Sequence, residues 1–268
     1  MSSPYVHGYT PGEVQRLQDQ ASTLIDLLHA DTSYPAGAKI LEAGCGVGAQ
    51  TVTLAARSPH AQFTSIDRSN VSLAQAQAAV AARGLCNVAF EQADVLNLRF
   101  AHQSFDHVFL CFVLEHLAGP RDALAALRSI LKRGGTITVI EGDHGSAYFH
   151  PDSDFAHKAI GCQVTLQART GGDAMIGRRL YPLLVEAGFS SPHVSPRMVY
   201  VDASKPALVN GFTRNTFTAM IEGVRSSAIA AGLLSPGDFD RGIADLYRTA
   251  EADGVFCYTF FKAVAVNQ

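Results

Sequence analysis

The segment Ile40-Leu41-Glu42-Ala43-Gly44-Cys45-Gly46-Val47-Gly48 constrains this chain more than any other stretch. An apolar run ends on an acid, glycines follow at every second position, and a proline-free segment suited to a helix begins at Ala49. That order predicts a strand, a tight turn and a helix start. Glycine serves such a turn because it reaches backbone angles that a Cβ forbids, and because it lets a ligand approach the main chain. The glycines alone leave two readings, a bare sharp turn or a loop that holds a small molecule.

The following 100 or so residues repeat the alternation of apolar strand and helix. Strands are predicted over 62–66, 88–92, 105–111 and 136–141, with helices over 49–57, 72–83 and 120–131 and a turn at Lys132-Arg133-Gly134-Gly135. Strands alternating with helices in this way give a doubly wound parallel sheet, with its ligand crevice at the carboxyl ends of the strands. Asp67 falls at the tip of the second strand, where a carboxylate accepts hydrogen bonds from both ribose hydroxyls or caps the next helix. Asp94, after the third strand, either takes the exocyclic amine of an adenine or caps a turn. Gly44, Gly46 and Ala49 also satisfy the G-x-G-x-x-G/A spacing of dinucleotide-binding loops.

Taken together, Leu41 to Gly48, Asp67, Ala93-Asp94, Phe105-Asp106, Leu114-Glu115-His116-Leu117 and Leu131 to Gly135 resemble the class I S-adenosylmethionine-dependent methyltransferases, in particular the ubiquinone/menaquinone-methyltransferase-like small-molecule group. The resemblance implies S-adenosyl-L-methionine as cofactor and S-adenosyl-L-homocysteine as product. It implies that Gly44, Gly46 and Gly48 cradle the methionyl part, that Glu42 organises the loop, and that Asp67, with Arg68 beside it, binds the ribose. Ala93 and Asp94 would edge the adenine, and Cys111 and Phe112 would face the methionyl tail. It also implies a seven-stranded, mostly parallel, Rossmann-like sheet, whose last two strands are expected over 194–201 and 256–264.

Between those two strands the family has a short connection, whereas this chain has residues 202–254, with helical patterns over 217–231 and 239–249. The expected organisation is therefore an N-terminal helical lid over 1–34, a cofactor-binding core over 35–201 with 255–268, and a helical insertion over 202–254 acting as a cap, a homodimer contact or both. In the lid, Tyr9 precedes a one-sided helix and either staples it or covers the cofactor.

Composition narrows the partners. Apolar residues make up 47% and charged residues 17%, enough for a substantial core, and a net charge of −3 without a Lys/Arg run argues against nucleic acid. No N-terminal basic and apolar leader pattern and no span-length apolar run is found, so the expected location is cytoplasmic, away from membranes. The five cysteines are scattered and never form C-x-x-C, which argues against a disulfide framework and a structural zinc site.

The segment 141–151, directly after the fifth strand, is the richest in polar side chains. Methyl transfer is an in-line displacement, so the protein supplies alignment and dryness, and a hydroxyl acceptor gains from a base. His144 is the first candidate for that contact, with Tyr148 and His150 behind it, while His116 is read as supporting its loop. Arg178, Arg197 and Tyr200 are candidate acceptor contacts, the arginines as clamps for a carboxylate. Asp143, His144, His150, Asp152 and His157 read as an ordinary polar loop in preference to a metal site. The expected activity is O-methylation of a hydroxyl or carboxylate on a small molecule. The alternatives are a displacement on the same cofactor that releases methylthioadenosine, as in a cyclase or aminopropyl-type transfer, and a non-catalytic cofactor-binding module.

Overall fold

The computed structural model describes residues 23–268. Tyr9 and most of the expected lid lie outside the described residues; within them, 23–29 are helical, with Leu24 and Leu28 buried.

The strands are β1 (Lys39–Ala43), β2 (Gln62–Asp67), β3 (Val88–Gln92), β4 (Phe105–Cys111), β5 (Leu131–His150), β6 (Ser190–Val201) and β7 (Val255–Val266). They form one sheet in the order β3-β2-β1-β4-β5-β7-β6, with β1 to β5 paired in parallel. β7 runs antiparallel to β5, since Asn267 bonds Gly135 near the start of β5 and Thr259 bonds Ser146 near its end. The predicted doubly wound sheet with two added strands is thus the observed one. Strand order reverses at β1, whose neighbours are β2 and β4, so the crevice opens beyond the carboxyl ends of β1 and β4.

Side-chain alternation builds the layers. Leu41 and Ala43 of β1 and Val108 and Leu110 of β4 join one core cluster with Leu124 and Leu127 of helix α3 (Pro120–Ile130). Leu124 and Leu127 are fully buried, each worth about 2 kcal/mol of transfer free energy. Pro120 at the first helical position fixes the entry of α3, where its missing N–H costs nothing. Helix α1 (Ala49–Arg57) starts from Gly48 in the left-handed region, and α2 (Asn70–Ala82) is capped by the Ser69 side chain, which accepts the Ser72 N–H at 3.2 Å.

The chain resolves into two compact units. One comprises Leu28–Glu141, Ile176–Pro196 and Phe261–Gln268, and contains the glycine loop; the other comprises 23–27, Gly142–Met175 and Arg197–Phe260. The expected insertion 202–254 therefore shares its unit with the far half of β5 and with helix α4 (Asp154–Arg169). Within it lie a π-helical stretch Val209–Thr218, short helices Ala219–Gly223 and Arg225–Ala230, and the helix Pro236–Arg248.

That second unit is built on aromatic rings. In a π-helix residues five apart stack, and Phe212 and Phe217 stand with ring centroids 6.4 Å apart. Phe217 packs on Phe256 at 4.7 Å and on Tyr258 at 5.4 Å, and Tyr258 meets Phe260 at 4.8 Å. No helix among the described residues is long and apolar enough to cross a membrane.

Candidate active site

The glycine loop leaves β1 with Gly44, Gly46 and Gly48 at φ 75, 53 and 80. At Gly48 a Cβ would sit 2.8 Å from the Ala76 Cα, and at Gly44 it would sit 2.5 Å from Val113 Cγ2, so both are demanded by backbone angle and by packing. Gly46 differs: nothing lies within 4 Å of the place its Cβ would take. The loop is therefore packed from behind at its ends and open at its centre.

Asp67 braces the loop. Its Oδ2 accepts the Gly46 N–H at 2.9 Å and its Oδ1 the Ser69 N–H at 2.8 Å, while Gly44 and Cys45 donate to the Ile66 carbonyl at 2.8 and 2.9 Å. An ionised carboxylate has about four acceptor positions, so Asp67 retains capacity for a pair of hydroxyl donors such as a ribose presents. Both readings of Asp67, brace and ligand, fit the same side chain. Asp94 is exposed and its Oδ1 accepts the Leu96 N–H at 2.9 Å, which is the turn-capping role, with further acceptor capacity open to solvent. The Ala93 N–H donates to the Asp67 carbonyl at 3.1 Å, which ties the third strand's tip to the second's. Arg68 is exposed beside them, and its carbonyl accepts from Gln92 Nε2 at 2.9 Å.

Glu42 is 2% exposed. Its Oε2 accepts the Ser65 hydroxyl at 2.6 Å. Burial pushes its carboxyl up to about 7, against the pull of the Ser65 and Thr51 hydroxyls, and the Asp67 charge adds to the rise. In the unfolded chain the group ionises near its ordinary 4.5. Between those values the unfolded state binds fewer protons, so this contribution to stability is full below about pH 4.5, falls as pH rises and is gone above about 7. Glu42→Gln removes that slope. Melting curves of both proteins from pH 4.5 to 8 are expected to show the wild type losing up to about 3 kcal/mol relative to the variant.

At the end of β4, Cys111 is half-buried and burial raises its thiol well above the usual range. Phe112 adopts φ 58, a left-handed angle unusual for a bulky residue, and its N–H donates to the Ile140 carbonyl at 2.9 Å. The next two N–H groups, of Val113 and Leu114, donate to Glu141 Oε1 at 3.0 and 2.7 Å. Glu141 is fully buried, and desolvation together with the Glu115 charge raises its carboxyl well above the usual range. Glu115 also faces His116, at 3.6 Å. Glu141 is absent from the set chosen on sequence. The signal was available, because it terminates an apolar strand with an acid as Glu42 does. Buried Lys262 was likewise passed over; it donates to Asp31 and Thr32, each at 2.6 Å, and anchors the segment entering β1.

In the aromatic unit His144 is 7% exposed, and its Nδ1 lies 2.9 Å from the Tyr258 hydroxyl. Its N–H donates to the Ala174 carbonyl at 2.9 Å, and Phe217 lies 6.1 Å from its ring. Tyr148 is 54% exposed and donates to the Met198 sulfur at 3.4 Å, and His150 is exposed at the end of β5. The structure thus pairs His144 with Tyr258, while Tyr148 is turned to β6. Tyr200 lies 4.6 Å beneath the Lys205 ammonium. Arg197 is half-buried in the same unit, and Arg178 is exposed in the glycine-loop unit. His157 pairs with Asp152 at 2.9 Å and stacks on Phe149. Among the described residues no three His, Cys, Asp or Glu side chains gather as a metal site requires.

An open glycine loop after β1, an acid at the tip of β2 and a seven-stranded sheet with strand order reversing at β1 define a Rossmann-like nucleoside-cofactor domain. Residues 40–135 match the family described as methyltransferase domain. That match supports a class I S-adenosylmethionine-dependent methyltransferase domain over those residues. The chain is 33% identical over 225 residues to a 37.1 kDa protein of transposon TN4556 from Streptomyces fradiae, covering 80% of this chain and 63% of that one. To the trans-aconitate 2-methyltransferase of Deinococcus radiodurans it is 31% identical over 140 residues, 52% of each chain. The chain thus spans between half and two thirds of the length of these curated relatives. Among solved structures, a Haemonchus contortus phosphoethanolamine N-methyltransferase in complex with S-adenosylhomocysteine shares the fold, with TM-score 0.56 and 16% identity, covering 92% of this chain and 52% of that one.

Proposed function

We propose that the protein transfers the methyl group of S-adenosyl-L-methionine to an oxygen of a small molecule, a hydroxyl ahead of a carboxylate. The donor half of this reading rests on the open centre of the glycine loop beside the two-oxygen brace of Asp67. When bound, the cofactor supplies a methyl carbon activated by its sulfonium. Gly44, Gly46 and Gly48 would receive its methionyl part, Asp67 its ribose and Asp94 with Ala93 its adenine, while Glu42 holds the loop from behind.

The acceptor half rests on the His144–Tyr258 pair. His144 accepts a proton on Nε2 in the tautomer whose Nδ1–H donates to the tyrosine oxygen, and that tautomer is the one a general base needs. A carboxylate acceptor needs a cationic clamp instead. Arg197 and Arg178 remain the candidates for that, and they belong to different units. Among the relatives, the malonyl-[acyl-carrier protein] O-methyltransferase of a Paenibacillus species acts on oxygen by its name, at 28% identity over 156 residues.

Incubation of the protein with methyl-labelled cofactor and a panel of phenols, alcohols, carboxylic acids and amines tests the reading. Labelled oxygen ethers or esters with S-adenosyl-L-homocysteine as co-product are expected, and release of methylthioadenosine contradicts it. In that assay His144→Ala is expected to lower kcat about 100-fold or more while leaving the dissociation constant of S-adenosyl-L-homocysteine unchanged. Equal loss in both quantities contradicts the base assignment.

A further inference from the structure

We infer that Glu141 is a positioning residue for the glycine loop, acting through the turn after β4 and the side chain of Val113. The inference rests on the reading that this loop holds S-adenosyl-L-methionine. Gly44 is fixed on one side by its N–H bond to the Ile66 carbonyl at 2.8 Å. On its other side stands Val113, whose Cγ2 lies 2.5 Å from the place of a Gly44 Cβ, so the valine packs directly on the glycine's α-carbon.

What holds Val113 there is its backbone. Its N–H and that of Leu114 converge on Glu141 Oε1 at 3.0 and 2.7 Å, immediately after Phe112 turns through φ 58. A left-handed bulky residue is strained and persists only where its surroundings over-determine it. The buried Glu141 carboxyl supplies that determination, because its Oε1 has two lone pairs and accepts both N–H groups at once. Glu141 is fully buried, so water does not replace it when it is removed, and both N–H groups would lose their partner. The chain of contact therefore runs from the middle of β5, through the backbone of 113–114, to the first glycine of the loop, all within the glycine-loop unit.

Calorimetric titration of S-adenosyl-L-homocysteine into the intact chain, Glu141→Leu, which removes the acceptor, Val113→Ala and the double variant tests this, with melting temperatures of the free proteins recorded alongside. Each single change is expected to raise the dissociation constant about tenfold or more. The double variant is expected to be no more than about threefold weaker than the worse single, because both changes break one contact path. Constants within about twofold of wild type at a temperature where the variants are folded, with only the melting temperature lowered, would overturn the inference. So would single effects that multiply in full. If Glu141→Leu does not fold, Val113→Ala decides, and an unmoved constant there overturns the inference. Absence of binding by the unaltered chain instead overturns the cofactor reading beneath it.

Discussion

Gly48→Ala is expected to abolish measurable binding of S-adenosyl-L-homocysteine and to lower the stability of the free protein by about 2–6 kcal/mol. Two costs combine. Gly48 sits at φ 80, where an L side chain is strained, and its Cβ would lie 2.8 Å from the Ala76 Cα and 2.9 Å from the Ala76 Cβ. These are atoms of helix α2, which cannot swing aside as the end of a flexible side chain can. Relief requires α1 or α2 to shift, and α1 starts from Gly48. Gly46→Ala is the internal comparison: it shares the positive φ but meets open space, so stability is expected to fall by about 1–2 kcal/mol while the added methyl occupies the open centre of the cradle. Thermal melts and titrations of the two variants side by side separate strain from occlusion.

Asp67→Asn is expected to weaken binding of the same ligand by about 100-fold or more. Each carboxylate oxygen already accepts a backbone N–H, from Gly46 and from Ser69. Whichever oxygen becomes an amide nitrogen then opposes a donor with a donor, so the isosteric change both loosens the loop and removes a ribose acceptor. An ordinary helix cap would lose about 1 kcal/mol of stability and leave binding intact. The titration therefore distinguishes the two roles open for Asp67 on sequence.

How much of this was readable in the chain depends on how local the cause is. The glycine loop, the helix 49–57 and the strands 88–92 and 105–111 follow from turn chemistry and periodicity within a few residues, and the structure places each at those bounds. The polar segment 141–151 reads as a loop because Gly142, Asp143, Gly145 and Ser146 are turn formers. In the structure it continues β5 to His150, since the Thr259 N–H donates to the Ser146 hydroxyl at 2.9 Å and His144 bonds Ala174. Those partners lie far along the chain, and no local pattern announces them. The same distance hides Glu141, whose carboxylate serves a turn 27 residues earlier, and the pairing of His144 with Tyr258, 114 residues later. The glycine loop is a local motif and was legible. The surroundings of His144 and Ser146 are assembled from a remote strand and were not.

The most direct test is a calorimetric titration of the intact wild-type chain with S-adenosyl-L-homocysteine, repeated on Asp67→Asn. One saturable site in the wild type that weakens about 100-fold or disappears in the variant is the predicted result. No heat of binding in the wild type, or binding that Asp67→Asn leaves unchanged, would contradict the account.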